Sequence, residues 1–261
     1  MPTIVFVHGA WVTPACWTRL RGFFEAKKFH CLTPTWPFMD RPIAELRSAP
    51  DPRLASQTIR DLTDHHERII RLLPEPPILV GHSFGGLIVQ LLLDRGLGRA
   101  GVAIDAGPPR GVLPSPRAIR SALPVLLTWR GWNKTLTMSF KDFAATFANG
   151  LPATEMPAVY EQQIVPAPGR IYFQAALGLG NGVNFKNPNR GPLLLVAGED
   201  DRTSTLSMGR AMYRRHGRSP AGTQFVSFPG RSHWLIAEPG WEEIAQKMHA
   251  WIGTLDPSPV P

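Results

Sequence analysis

Pro77-Ile78-Leu79-Val80-Gly81-His82-Ser83-Phe84-Gly85-Gly86 decides the reading of this chain. An apolar run of strand character ends at Gly81, and a helical run, Leu87 to Leu93, follows Gly86. Between them sits Gly-x-Ser-x-Gly. In a strand–turn–helix setting this pattern forces the serine onto a sharp turn with its hydroxyl projecting outward. Side chains at Gly81 and Gly85 would collide with neighbouring backbone in so tight a turn. The helix that starts after Ser83 adds positive dipole and free N–H groups where negative charge would develop. Ser83 is therefore the candidate nucleophile.

Working outward, short runs rich in Val, Ile and Leu alternate with longer amphipathic segments, the signature of a parallel sheet covered by helices. The runs Thr3 to Val7, Phe29 to Thr33, Ile78 to Gly81, Gly101 to Asp105, Leu193 to Ala197 and Thr223 to Phe228 read as strands. Pro14 to Ala26, Ser56 to Leu73 and Trp241 to Ile252 repeat their apolar residues at helical spacing, and Leu87 to Leu93 is apolar all round, as for a buried helix. The fold class is α/β, a mostly parallel sheet of six strands flanked by helices.

Residues 108–191 break the alternation. Ala118 to Trp129, Lys141 to Ala148 and Ala153 to Ile164 form helical patches separated by Pro and Gly. A structureless loop of that length is uncommon in a compact domain, so a helical insertion is expected here. The core domain is then 1–107 and 192–255, the insertion 108–191, and the Pro-rich tail 256–261 is expected to fray.

Three further stretches lie at the ends of predicted strands. His8-Gly9-Ala10-Trp11 follows the first. An oxyanion needs two N–H donors from separate segments, and Ala10 and Phe84 are placed to supply them. His8 reads as a hydrogen-bonding group that orders the loop. Gly198-Glu199-Asp200-Asp201 offers carboxylates that could fix a histidine's tautomer. Ser232-His233-Trp234 offers that histidine. Asp105, at the end of another strand, is a rival for the carboxylate role.

These four stretches together resemble the α/β-hydrolase fold superfamily, and the resemblance spans nearly the whole chain. It implies a serine hydrolase with Ser83, His233 and Asp201 as catalytic residues. Members commonly carry Gly-x-x-Asp at the acid, which selects Asp201 over Asp200 and Glu199. The chain starts at the family's third strand, as small esterases of this fold do, and 108–191 falls where the family places its cap. The expected substrate is a small to medium, neutral, apolar ester, with Trp11, Trp234, Trp129 and Phe143 as pocket residues. Lactonase, perhydrolase or lyase chemistry on the same triad, or a non-catalytic ligand receptor, are the alternatives. No Lys lies between Lys186 and Lys247, which weighs against a hydroxynitrile lyase.

Composition bounds the rest. At 261 residues, 43% hydrophobic and 18% charged, the chain is globular. The net charge is +8 and the isoelectric point near 10.1. The densest basic patch, Arg210, Arg214, Arg215, His216 and Arg218, reads as a solvated helix face, so no nucleic-acid partner is expected. Cys16 and Cys31 read as free buried thiols of a reducing compartment. With no leader pattern and no apolar run long enough to span a bilayer, a cytoplasmic protein without membrane insertion is expected. No cofactor is expected, and no His, Cys or carboxylate cluster has metal-ligand spacing.

Overall fold

The computed structural model describes residues 1–255; the tail 256–261, expected to fray, lies outside the described residues. Six parallel strands form the central sheet: β1 (Thr3–Val7), β2 (His30–Leu32), β3 (Ile78–His82), β4 (Ala100–Ile104), β7 (Leu193–Gly198) and β8 (Thr223–Phe228), in the order β2-β1-β3-β4-β7-β8. Every residue of β3, β4 and β7 is buried. Covering both faces of a parallel sheet requires such unbroken apolar runs. The expected fold class holds, and the six strands lie where the sequence puts them to within a residue at each end.

Helices α1 (Thr18–Ala26), α3 (Ile59–Ile70), α4 (Phe84–Asp94), α9 (Leu206–His216) and α10 (Trp241–Gly253) flank the sheet, while the short α2 (Ile43–Ser48) meets residues 160–164 through Arg47. Phe84 to Leu93 of α4 is buried without a break, which explains why the sequence there is apolar all round. Thr58 and Asp61 form a capping box that starts α3. Cys16 and Cys31 are both buried and unpaired.

Between β4 and β7 the insertion carries α5 (Pro116–Leu126), α6 (Phe140–Asp142) running into a π turn (Phe143–Phe147), α7 (Met156–Gln163) and α8 (Arg170–Leu177). Strands β5 (Thr135–Leu136) and β6 (Ala167–Pro168) form a small antiparallel ladder inside it. The ladder and α8 are absent from the sequence reading. Two-residue strands carry no periodicity, and Arg170–Leu177 is bounded by glycines that mask its helical spacing. Among the described residues no helix is long and apolar enough to cross a membrane.

The strand order fixes where a site can form. From β1 the chain moves to one side, to β2, and then crosses to the other side of β1, to β3. At such a switch point the loops leaving the carboxyl ends of the two strands diverge and open a crevice. The loops leaving β1 and β3 are His8–Trp11 and the turn at Ser83.

Candidate active site

Ser83 occupies the turn between β3 and α4 with φ 57° and ψ −123°. A non-glycine residue in this region costs of order 1–3 kcal/mol and persists only where the surroundings enforce it. Here the enforcement is visible. Ser83 N–H donates to the Ile104 carbonyl on β4 (3.0 Å), and Gly107 N–H donates to the Ser83 carbonyl (2.9 Å). A Cβ at Gly85 would sit on the Val7 carbonyl, and one at Gly81 on the Gly85 carbonyl, so the turn closes only with hydrogen at both positions.

The β1 loop passes directly over the serine. A Cβ at Gly9 would lie 2.8 Å from Ser83 Cβ and 2.9 Å from the His82 carbonyl. Neither the Ala10 nor the Phe84 N–H donates to another group among the described residues. Two free N–H groups from different segments thus flank Ser83. Gly9→Ala is expected to lower kcat at least about 10-fold by displacing this loop, and to lower the melting temperature because the clash is with atoms that cannot rotate away; unchanged kcat in that variant would show that the loop has slack.

His8 is fully buried and stacked on Trp36 (4.8 Å). Its Nδ1–H donates to the Gly9 carbonyl (2.9 Å) and its Nε2 accepts from Trp36 N–H (3.2 Å). Burial pushes its pKa down to about 3, so it stays neutral. It orders the loop, and both of its nitrogens are occupied.

Asp201 follows β7 and His233 follows β8, the two strands beyond β4. Both side chains are buried, and His233 Nδ1–H donates to Asp201 Oδ2 (2.7 Å). Asp201 Oδ1 accepts from the N–H groups of Thr203 (2.6 Å) and Ser204 (2.9 Å). Three donors around one carboxyl suit a carboxylate. Its neighbours are otherwise engaged: Asp200 is exposed, and Glu199 accepts from the Ser227 hydroxyl (2.7 Å).

His82, next to the serine, ties the turn to the histidine loop. Its Nε2–H donates to the His233 carbonyl (2.7 Å), and the two rings are 4.6 Å apart. Burial drives its pKa well below the usual histidine value. Phe147 packs edge-on against His233 (4.9 Å). Buried Glu238 accepts from Ser232 N–H (3.0 Å) and from the Ser232 hydroxyl, pinning the loop from below. Neither Phe147 nor Glu238 is legible as a site residue in sequence, because the contacts of Phe147 with His233 and of Glu238 with Ser232 exist only in the folded chain. His233 Nε2 is buried and makes no hydrogen bond, so the Ser83–His233 contact is open in this state. Such contacts commonly tighten only when substrate is bound.

Asp105 lies inside the same cluster. It follows β4 at φ 40° and is 2% exposed. Its Oδ1 accepts from Gly198 N–H (2.8 Å), while Oδ2 is buried without a partner. Burial, and then the adjacent Asp201 charge, push its carboxyl well above the ordinary range. Asp105 thus stands beside the Asp201–His233 pair in surroundings that favour its protonated form. His82, Asp105 and His233 each bring one ligand-type atom within 4.8 Å of the others. Hydrogen bonds already claim His82 Nε2, His233 Nδ1 and Asp105 Oδ1.

A cavity of about 510 Å³ opens beside Ser83. Its walls are mostly apolar: Phe84, Pro108, Pro109, Val112, Ala118, Ala122, Leu126, Tyr172, Ala175 and Met208, with Arg110 the one charged residue on its edge. None of the four expected pocket residues lines it. Trp129 is 79% exposed on the outside of the insertion. Phe143 is fully buried between Phe140, Phe147 and Tyr160. Trp234 packs on Phe147 (5.7 Å). Trp11 is 4% exposed and holds the insertion to the core: it stacks on Tyr172 (4.9 Å), and its Nε1–H donates to the Leu136 carbonyl (3.2 Å). The cavity takes its walls instead from the segment after β4 and from α5 and α8.

A parallel sheet of this order, with a strained serine at its switch point, defines the α/β-hydrolase fold. The chain belongs to the alpha/beta hydrolase family, whose sequence profile matches residues 4–247. No curated protein matches it in sequence. Solved structures share the fold along most of their length. A monoacylglycerol lipase of Paleococcus ferrophilus is 19% identical with a TM-score of 0.71, over 97% of this chain and 95% of that one. A pyrethroid hydrolase of Sphingobium faniae JZ-2 is 19% identical with a TM-score of 0.73, over 97% of each chain. The non-heme bromoperoxidase BpoC of Mycobacterium tuberculosis H37Rv, described as putative, is 16% identical with a TM-score of 0.74, over 98% of this chain and 93% of that one.

Proposed function

We propose that the protein is a serine hydrolase of small to medium, neutral, apolar carboxylic esters. The observation that carries this reading is the buried 2.7 Å bond between His233 and Asp201, held over the loop that His82 ties to strained Ser83. In this reading His233 Nε2 takes the Ser83 proton as Oγ attacks the ester carbonyl carbon. The carbonyl oxygen becomes an oxyanion and receives the N–H groups of Ala10 and Phe84. Asp201 holds the imidazole in the tautomer that leaves Nε2 free and stabilises its charged form. His233 then gives the proton to the departing alkoxide, and an acyl-serine remains. Water attacks the acyl group by the same route, His233 acting as base and then returning the proton to Ser83.

The cavity supports the substrate class. Its walls offer little to compensate the desolvation of a charged group, while apolar surface buried there gains roughly 25 cal/mol for each Å². Two p-nitrophenyl esters, one neutral and one bearing a terminal carboxylate, provide the test. The neutral ester is expected to have the higher kcat/KM, by about 10-fold or more. A faster charged ester whose advantage shrinks with added salt would mean that Arg110 and its neighbours select anions, and the substrate class would be wrong.

A further inference from the structure

The insertion exposes apolar side chains that the folding of this chain does not explain. On α5 and its C-cap residue, Ile119, Leu123 and Leu127 stand at four-residue spacing and are 45%, 37% and 77% exposed. Trp129 follows at 79%, and Leu113 and Leu177 stand at 83% and 70%. A helix that has buried its apolar face in its own domain does not carry a second apolar stripe into water. Three of these residues, Leu113, Ile119 and Leu177, also line the cavity beside Ser83. The apolar surface therefore begins at the rim of the cavity mouth and continues along α5 to Trp129.

The segment that carries this rim is basic, although Glu199 lies near its start, in the depression that Arg117 lines. From Ala106 to Lys141 the sequence holds six basic residues and no Asp or Glu. Arg117, Arg120, Arg130 and Lys134 are exposed, and none forms an ion pair among the described residues. Arg95 bonds both Asp64 and Glu67, and Arg47 bonds Glu161, whereas Arg210, Arg214 and Arg218 at the far end of the chain form no ion pair among the described residues either. Apolar and aromatic side chains set among unpaired cations form the surface that lies in the boundary of an anionic bilayer. A second copy docked by the same face would set these cations against each other. Charge complementarity selects the lipid.

We infer that the α5 face of the insertion docks the protein on anionic lipid surfaces, with the mouth of the Ser83 cavity turned toward the lipid. This is adsorption at the interface: α5 has 11 residues, about half the length a bilayer-spanning helix needs. The docking does not depend on the chemistry proposed for Ser83.

Flotation of the full chain with vesicles tests it. Vesicles of equimolar phosphatidylcholine and phosphatidylglycerol are compared with pure phosphatidylcholine, at ~0.1 M and ~0.5 M salt. The protein is expected to float with the anionic vesicles at low salt, at least about 10-fold more than with the neutral ones, and to be released by high salt. The double variant Leu127→Glu, Trp129→Glu is expected to lose that partitioning by 10-fold or more. Neither residue lines the cavity, so turnover of a water-soluble ester and the far-UV spectrum are expected to stay unchanged and to report intact folding. Arg117→Glu with Arg120→Glu is expected to weaken binding by about 5-fold for each charge lost. Failure to float at low salt, or flotation that the Leu127/Trp129 variant does not reduce, overturns the inference. So does a dimer in sedimentation that the same variant dissolves while the wild type ignores vesicles.

Discussion

Ser83→Ala is expected to lower kcat for ester hydrolysis by roughly 10³-fold or more, with the protein still folded. Loss of the nucleophile removes the covalent route entirely, leaving only what a polarising pair of N–H groups and a bound substrate can do with water. The fold should tolerate the change. Ser83 holds the turn through its backbone N–H and carbonyl, and alanine keeps both. It also keeps the positive φ of 57°, a strain that serine already carries. The melting temperature is therefore expected to move little. A variant that keeps full hydrolysis would remove Ser83 from the chemistry.

Asp201→Asn is expected to cost nearly as much, about 10³- to 10⁴-fold in kcat. An amide cannot serve all three donors that face this carboxyl. Its NH₂ group would meet either His233 Nδ1–H or the N–H groups of Thr203 and Ser204. The first arrangement favours the wrong imidazole tautomer, with Nε2 protonated and unable to take the Ser83 proton. Asp105→Asn should behave differently. Burial favours the protonated form of Asp105, and asparagine reproduces its shape: Oδ1 can still accept from Gly198 N–H, and the amide can face Asp201. Activity is expected to stay within about 10-fold of wild type.

The same substitution has a pH signature. A carboxyl whose folded-state pKa is raised favours folding at low pH, below its unfolded pKa near 4. That contribution is lost as pH rises toward the folded value, by at most about 1.4 kcal/mol per pH unit. Asp105→Asn removes this dependence. Its melting temperature is expected to exceed that of the wild type near pH 8, and the gain to shrink as pH falls toward 4. If Asp105→Asn abolishes activity while Asp201→Asn retains it, the two carboxyls have exchanged the roles assigned to them.

The strands and the turn at Ser83 were legible because their causes are local. A fully buried parallel strand must be apolar throughout, and the turn admits only hydrogen at Gly81 and Gly85. The identity of the cavity walls was not legible. Trp129 and Phe143 are both aromatic residues of the insertion, yet one is 79% exposed and the other 0%. Only the packing of Phe143 against Phe147 and Tyr160 separates them. Trp11 adjoins the oxyanion loop in sequence, but its ring turns to Tyr172 and spends its reach on joining the insertion to the core. Asp105 and Asp201 stood as rivals in the sequence because nothing there shows that β4 and β7 are neighbours. Once those strands pair, Gly198 N–H reaches Asp105, and both carboxyls meet at one histidine.

The central claim, that Ser83 is a nucleophile activated by His233, is tested most directly by labelling the folded protein with a fluorophosphonate and locating the adduct by peptide mass spectrometry. The reagent's phosphorus is attacked by an activated serine, and fluoride leaves. The account predicts one adduct, on Ser83, with labelling lost in Ser83→Ala and slowed at least about 100-fold in His233→Ala. An adduct on any other serine, or an unlabelled Ser83 in a preparation that still hydrolyses esters, would contradict it.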